Sequence, residues 1–204
     1  MTRRIGILVF DDVEELDFVG PWEVFTMAND VAGKQNKPPV HTVELIGLGE
    51  GPVRCAKGMR VLPDRTVAAC DALDILLVPG GFGTRRLASD ARLLAWLARI
   101  GAGAEWITSV CTGSLLLCAA GLARGKTVTT HWAFVETLRA RGEAAAVLEN
   151  YRYVRDGNVV TAAGVSAGID MALWLAGQLH GADFARAIQR AMQYDPAPPY
   201  AGLT

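Results

Sequence analysis

A short and almost entirely apolar run, residues 74–78 (DILLV), ends in a proline and two glycines and constrains the fold of this chain most strongly. An apolar run without alternation is typical of a strand that is buried on both faces of a parallel sheet. Residues 4–10 and 105–110 have the same character. Because parallel strands need long crossover connections, helices must separate them. The sequence therefore predicts an α/β fold with a mainly parallel central sheet and helices on both faces.

Periodicity and turn residues place the other elements. Helices are expected over residues 19–32, with Pro21 near the first turn, and over 90–100, 114–122, 133–141, 167–180 and 183–194. Further strands are expected at 42–48 and 126–130, and hairpins at 53–62 and at 151–154 with 158–162, before a proline-rich tail at 195–200. No repeat or linker interrupts this pattern, which predicts a single domain over residues 1–204.

Composition narrows the function. Lys and Arg number 20 against 21 for Asp and Glu in 204 residues, and the basic clusters are short, so nothing indicates a nucleic-acid partner. The apolar stretch at residues 5–10 is too short for the core of a signal peptide, and no stretch approaches the roughly 18 apolar residues of a membrane helix. We therefore expect a soluble, cytoplasmic protein without nucleic-acid or membrane partners.

Four cysteines, at positions 55, 70, 111 and 118, occur without a Cys-x-x-Cys spacing. This pattern predicts free thiols in a reducing compartment. No group of His, Cys and carboxylate residues has the spacing of a metal site, so we assign no metal ligand. The usual role of a single cysteine is that of a small buried hydrophobe, and we interpret Cys118 in that way.

Cys111 is the exception among the four. It lies between a predicted strand and a predicted helix, where the nucleophile of a strand-to-helix elbow is found. Such an elbow strains the backbone and needs small residues two positions before and after the nucleophile, a requirement that Ser109 and Gly113 satisfy. The N–H groups at the start of the helix are expected to lower the pKa of the thiol. Cys111 is therefore the candidate nucleophile.

Two other segments are predicted to end at the same edge of the sheet, where active sites of such folds lie. Gly80 and Gly81 let main-chain N–H groups approach a ligand, and with the N–H of Thr112 they would form a donor set for charge on a substrate. Asp17 stands between two apolar residues after the first strand and is the acid expected to turn inward. A carboxyl close to a thiolate would have a raised pKa and would donate a proton.

Several more residues are candidates for the site. His131 is a candidate general base, with a structural role for a partly buried histidine as the equal alternative. Trp132, Phe82 and Trp22 are candidates for the apolar wall of a pocket, and the Thr112 hydroxyl is a candidate ligand for a water. These residue types indicate a small-molecule substrate without identifying it.

The order of the motifs resembles the DJ-1/PfpI superfamily. The motifs are DDVEELD followed by GP, then VPGGFG, VCTGSLLLCAAGLARGKTVTTHW and TAAGVSAGIDMAL. The resemblance covers almost the whole chain, and within the superfamily it is strongest to the isonitrile (isocyanide) hydratases. It implies a flavodoxin-like α/β sandwich of the class I glutamine amidotransferase-like type, a homodimer and no cofactor.

The resemblance also implies roles for particular residues. It assigns the nucleophile to Cys111 and the contacting acid to Asp17. Peptidase-like and amidase-like members usually carry His directly after the nucleophile, so Thr112 argues against a Cys-His protease. Glyoxalase-like members carry Glu where Asp17 stands and His where His131 stands, so Asp17 favours the hydratases. AraC-type regulators are similar over the same segments but continue into a helix-turn-helix region, so we expect no DNA-binding role for a chain that stops at Thr204.

The leading hypothesis is the hydration of an isonitrile to an N-substituted formamide through a covalent thioimidate on Cys111. A first alternative is a glyoxalase or deglycase, in which His131 relays protons. A second is a redox or small-molecule sensor whose low-pKa thiol oxidises without turnover.

Overall fold

A central sheet of seven strands organises the computed structural model, which describes residues 2–196. In chain order the strands are β1 (Arg3–Val9), β2 (His41–Gly47), β3 (Val53–Arg54), β4 (Arg60–Val61), β5 (Arg65–Thr66), β6 (Ile75–Val78), β7 (Trp106–Val110), β8 (Thr127–Val128), β9 (Ala146–Val147), β10 (Tyr153–Asp156) and β11 (Val159–Ala162). The order across the sheet is β10-β11-β7-β6-β1-β2-β5, and within it β10 alone pairs in the antiparallel sense. The predicted mainly parallel sheet is confirmed.

Helices cover both faces of this sheet. They are α1 (Glu15–Lys34), α2 (Thr84–Leu87), α3 (Ala91–Gly103), α4 (Gly113–Ala119), α5 (Val135–Arg141), α6 (Ala167–His180) and α7 (Ala182–Ala191). Right-handed crossovers place α1 and α3 on opposite faces, because the connection from β1 to β2 and the connection from β6 to β7 step in opposite directions. Helices α6 and α7 pack against α1, and α4 packs against α3. The fold is therefore a flavodoxin-like α/β sandwich.

The direction of the chain across the sheet reverses between β1 and β6. Such a reversal opens a crevice at the carboxyl ends of the strands. The loops that leave these two strands are joined there, since the Glu14 N–H donates to the Gly80 carbonyl over 3.0 Å and Val13 forms a bridge with Gly81. Strand β7 lies beside β6, and Cys111 follows its last residue directly. The three predicted segments therefore meet at one edge of the sheet.

Strands β6 and β11 contribute to the hydrophobic core. All four residues of β6 and all four of β11 are buried, as expected for strands covered on both faces. Phe10, Phe18 and Phe25 are the bulkiest fully or almost fully buried side chains. Burial of such aromatic side chains is a major source of stability in a domain of this size. None of the helices within residues 2–196 combines the length and the apolar character needed to cross a membrane.

The first helix differs from its prediction. It begins at Glu15 rather than at residue 19, so Pro21 lies inside the helix and not near its first turn. Glu15 and Asp17 lie in the first turn of this helix, where the helix dipole favours carboxylates. Asp17 is therefore held by a helix, which fixes its direction.

Other boundaries differ less. Helix α6 has the predicted bounds, whereas α4 and α7 both end three residues early. Gly121 and Gln193 explain these ends, because their φ angles of +79° and +51° are left-handed and stop a helix. The short elements β5, β9 and α2 were not predicted, and most of the predicted tail at 195–200 lies outside the described residues.

A pair of histidines joins α1, β2 and the end of α6. His41 is buried, its Nδ1 lies 3.2 Å from the Phe25 carbonyl oxygen, and its Nε2 lies 2.9 Å from His180 Nε2. Because a carbonyl only accepts, Nδ1 of His41 carries the proton, and Nε2 then accepts a hydrogen bond from His180. Burial lowers the pKa of His41 to about 4 and also lowers the pKa of His180. This environment therefore favours the neutral form of both imidazoles.

This pair predicts a loss of stability in acid. The folded-state pKa of His41 lies below its ordinary value of 6.5, so the unfolded chain binds the proton first and stability falls as the pH falls from 6.5 towards 4. When the pH is lowered from 7 to 4.5, we expect the free energy of unfolding of the wild type to fall by about 2 kcal/mol more than that of His41→Gln, as measured by urea unfolding. His131→Gln serves as the control and should follow the wild type. Parallel curves for wild type and His41→Gln would contradict the assignment.

Candidate active site

Cys111 lies at a strained turn between β7 and α4. Its φ angle is +56°, a left-handed conformation that is uncommon for residues other than glycine. Space around the turn is minimal, because a Cβ atom at Gly113 would lie 2.0 Å from the Val78 carbonyl oxygen. Ser109, two residues before the cysteine, is fully buried. The strained strand-to-helix elbow predicted from the sequence is therefore present, with small residues where the geometry demands them.

Hydrogen bonds from distant segments hold this strained backbone. The Cys111 N–H donates to the carbonyl oxygens of Ala162 and Ala163, at 3.1 and 2.8 Å. The Cys111 carbonyl accepts from the hydroxyls of Thr130, at 2.9 Å, and Ser114, at 3.1 Å. Strained conformations persist when the surroundings over-determine them. The end of β11 and the residues after β8 therefore fix the direction of the thiol.

Asp17 faces the thiol from the first turn of α1. Its side chain is fully buried, and Oδ2 accepts a 2.8 Å hydrogen bond from the Gly80 N–H. Oδ1 is buried without a nitrogen or oxygen partner among residues 2–196, and the carboxyl interacts with the Cys111 thiol. Burial, opposed by the Gly80 hydrogen bond, raises the pKa of Asp17 to about 7. The carboxyl can therefore take up or release a proton close to neutral pH.

The thiol itself is not acidified. Burial and, after it, the Asp17 carboxylate raise the pKa of Cys111 to about 12, against the N–H groups of Thr112 and Val165, which lower it. The predicted lowering by the start of α4 is therefore wrong, because two N–H groups do not offset burial beside an acid. The two groups titrate together, so protonation of Asp17 makes the thiol more acidic.

The glycine loop is arranged differently from the prediction. The Gly80 N–H is used by Asp17, and the Gly81 N–H donates to Thr112 Oγ1 over 3.1 Å. Both amides are therefore paired within the protein and are not free to hold charge on a substrate. The Thr112 hydroxyl is likewise enclosed in this network, since Thr84 Oγ1 lies 3.1 Å from it. Of the expected donors, the Thr112 N–H remains directed at the thiol, and Val165 supplies a second N–H that was not predicted.

A small cavity of about 290 Å³ opens above the thiol. Its walls are formed by Glu14, Gly81, Phe82, Arg85, Cys111, Thr112, His131, Ala133, Phe134 and Val165. Phe82, a predicted wall residue, is 72% exposed and stands at the rim. The volume is at the lower limit for small-molecule sites, which suits a compact substrate.

The two tryptophans do not line this cavity. Trp132 is 81% exposed and borders a neighbouring cavity of about 360 Å³, which shares His131 and Val165 with the first. Trp22 borders neither cavity. Because α1 begins earlier than predicted, Trp22 follows Asp17 by five helical positions, a rotation that turns it about 140° away from the site.

His131 lines the cavity, with its ring packed on the backbone of Gly164, where a Cβ atom would lie 2.2 Å from His131 Cδ2. Its Nδ1 accepts a 3.3 Å hydrogen bond from the Ala133 N–H. The neutral ring therefore carries its proton on Nε2, where it acts as a donor. In this arrangement the imidazole has no free lone pair with which to act as a general base.

Five wall residues were not predicted from the sequence: Glu14, Arg85, Ala133, Phe134 and Val165. Arg85 follows the VPGGFG motif by two positions, so its proximity to the ligand-binding edge was a usable signal. Val165 has a φ angle of +49°, an outlier for a β-branched residue, and follows the strand next to β7. Phe134 had no comparable signal. Within the described residues, no group of three or more His, Cys, Asp or Glu side chains is placed to hold a metal ion.

The buried acid predicts a stability that depends on pH. The folded-state pKa of Asp17 lies above its ordinary value of 3.8, so its contribution is present in acid and is lost as the pH rises through about 7. When the pH is raised from 5 to 8, we expect the free energy of unfolding of the wild type to fall by on the order of 2 kcal/mol relative to that of Asp17→Asn, as measured by chemical unfolding. Asp30→Asn, on an exposed position of the same helix, should track the wild type. An Asp17→Asn curve with the wild-type slope would refute the buried titration.

Known proteins are similar to this chain both in sequence and in fold. An isonitrile hydratase from Pseudomonas putida is 41% identical over 200 residues, which make up 98% of this chain and 82% of that protein. The crystal structure of a THiJ/PfpI family protein from Pseudomonas syringae matches with a TM-score of 0.87 at 35% identity and covers 98% of this chain and 78% of that one. The HTH-type transcriptional regulator CdhR from Pseudomonas aeruginosa is 32% identical over 185 residues, which are 91% of this chain but 53% of the regulator. Residues 3–178 match the DJ-1/PfpI family, and the chain therefore belongs to that family.

Proposed function

We propose that this protein hydrates isonitriles to N-substituted formamides, with Cys111 as the nucleophile and Asp17 as the proton carrier. The observation that carries the proposal is the buried carboxyl beside a buried thiol, at the base of a small cavity. The similarity to an isonitrile hydratase over 98% of the chain supports it.

In the first step, sulfur attacks the terminal carbon of R–N≡C. The new S–C bond forms from the electron pair on sulfur, and the same carbon gains a proton, which gives the thioimidate R–N=CH–S–Cys. The proton that leaves the thiol is the one that the carbon receives, and Asp17 relays it. The two reactants are held together in one cavity, so the addition avoids the entropy cost of a collision in solution.

In the second step, water adds across the C=N bond. Its oxygen bonds to carbon, the nitrogen gains one proton, and the tetrahedral adduct collapses to R–NH–CHO as the C–S bond breaks. The proton of the adduct hydroxyl returns to sulfur, again by way of Asp17, so the enzyme is regenerated and one water is consumed. The N–H groups of Thr112 and Val165 stabilise negative charge on the departing sulfur.

The high pKa of the thiol fits this reaction. A displacement that needs a free thiolate at rest would suffer from burial beside Asp17, which keeps the thiol protonated. Hydration of an isonitrile instead places sulfur and hydrogen on the same carbon, so a neutral thiol with an adjacent proton carrier supplies both. Asp17, with a pKa of about 7, matches the relay role at neutral pH.

Cyclohexyl isonitrile provides the direct test. Purified protein should convert it to the formamide, as followed by chromatography, whereas Cys111→Ala should be inactive and Asp17→Asn reduced at least about 100-fold, because each removes a reacting group. Cys118→Ala, which removes a buried thiol seven positions further along, should retain activity. Absence of turnover in the wild type, or undiminished turnover in Cys111→Ala, would exclude the proposal.

The role of His131 separates this function from that of a glyoxalase. In a glyoxalase His131 would relay protons, but its Nδ1 already accepts from Ala133 and its Nε2 carries the proton. We therefore expect His131→Ala to keep more than about a tenth of the isonitrile activity. Removal of a residue that acts as a general acid or base usually lowers the rate about 100-fold or more. Methylglyoxal conversion to lactate that survives Asp17→Asn but is abolished in His131→Ala would favour the glyoxalase instead.

A further inference from the structure

Arg85 places a positive charge on the wall of the Cys111 cavity. Its guanidinium lies over the rings of Phe134 and Phe82, with its central carbon 4.1 and 5.2 Å from the two ring centroids. Nη1 donates to the Gly81 carbonyl over 2.7 Å. Phe82, Phe134 and Gly81 all line the cavity. Two rings and a carbonyl thus hold the planar group in a fixed orientation at the mouth of the site.

This guanidinium lacks a carboxylate partner among residues 2–196. No acidic oxygen in that part of the chain lies within 4.0 Å of it, whereas Arg3, Arg65 and Arg152 each pair with an acid. Its Nε and Nη2 donate to no described residue, because its hydrogen bonds use Nη1 alone. Glu14, the acid on the cavity wall, is paired with Lys57. The cavity therefore offers an uncompensated cation.

We infer that the substrate of this site carries a carboxylate, which Arg85 binds while Cys111 attacks the reacting carbon a few bonds away. The inference rests on the proposed function for the reacting group and names the substrate class as short isonitriles with a carboxylate. A planar guanidinium with a free edge binds a planar carboxylate through two parallel hydrogen bonds. Since the thiol and the guanidinium share a cavity of about 290 Å³, only a short spacer fits between the two groups.

A first test needs no isonitrile chemistry. Iodoacetate and iodoacetamide alkylate a thiol by the same displacement: sulfur bonds to the CH₂ carbon, iodide leaves with the electron pair of the C–I bond, and the thiol proton goes to buffer. The two reagents differ in a carboxylate. Burial beside Asp17 slows both displacements alike. The ratio of their rates at Cys111, followed by peptide mass spectrometry with Cys111→Ser as the blank, therefore measures recognition of the anion.

We expect Arg85→Gln to lower the ratio of iodoacetate to iodoacetamide rates about tenfold and Arg85→Lys to lower it less, because a lysine keeps the charge without the planar fork. Arg86→Gln is the matched control: it removes the same charge from the next residue, which borders a different cavity. An unchanged ratio in Arg85→Gln would overturn the inference. An equal fall in Arg86→Gln would overturn it as well, because net charge alone would then explain the effect.

A second test ties the anion to turnover. We expect the wild type to hydrate isocyanoacetate with a higher kcat/KM than its methyl ester, and Arg85→Gln to lower the ratio of the two values about tenfold. If the ester is hydrated and the carboxylate is not preferred, the inference fails and the proposed function stands. If cyclohexyl isonitrile is hydrated but neither of these compounds is, the inference fails and the proposed function stands. If none of the three is hydrated, the proposed function fails, and the alkylation ratio still decides whether Arg85 recognises a carboxylate.

Discussion

The 2.8 Å hydrogen bond from the Gly80 N–H to Asp17 is the contact on which the site depends, because it supports a carboxyl that has been removed from water. It joins the helix after β1 to the loop after β6 directly above the end of β7. The junction requires glycine: a Cβ atom at Gly80 would lie 2.8 Å from both Asp17 Oδ2 and Cys111 Cβ. The acid and the thiol can therefore be neighbours only where a third chain segment has no side chain.

Charge is distributed unevenly along the cavity. The base holds a carboxyl and a thiol that share protons, and the rim holds a guanidinium stacked on two aromatic rings. A substrate with a polar end and an uncharged reacting end would be oriented by this difference before any bond forms. Orientation of this kind contributes to catalysis because it removes unproductive poses. The proposed chemistry and the proposed substrate class are thus two consequences of one arrangement.

The sequence predicted those parts of the structure that depend on local pattern. The apolar run at 74–78 and its counterparts were sufficient for the parallel sheet, and small residues around Cys111 were sufficient for the elbow. The parts it did not predict depend on packing. The pairing of the Gly81 amide with Thr112 and the raised pKa of the thiol follow from how three segments fit together, which no local pattern encodes. The sequence places Arg85 close to the glycine loop, but the orientation of its guanidinium depends on the two rings that hold it.

The bonds from Cys111 to Ala162 and Ala163 have a consequence for how the protein matures. These acceptors lie about fifty residues beyond the cysteine, at the end of a strand that is synthesised late. Until β11 pairs with β7 the Cys111 N–H lacks both acceptors, so the hydrogen bonds that hold the elbow are completed by a long-range pairing of the sheet.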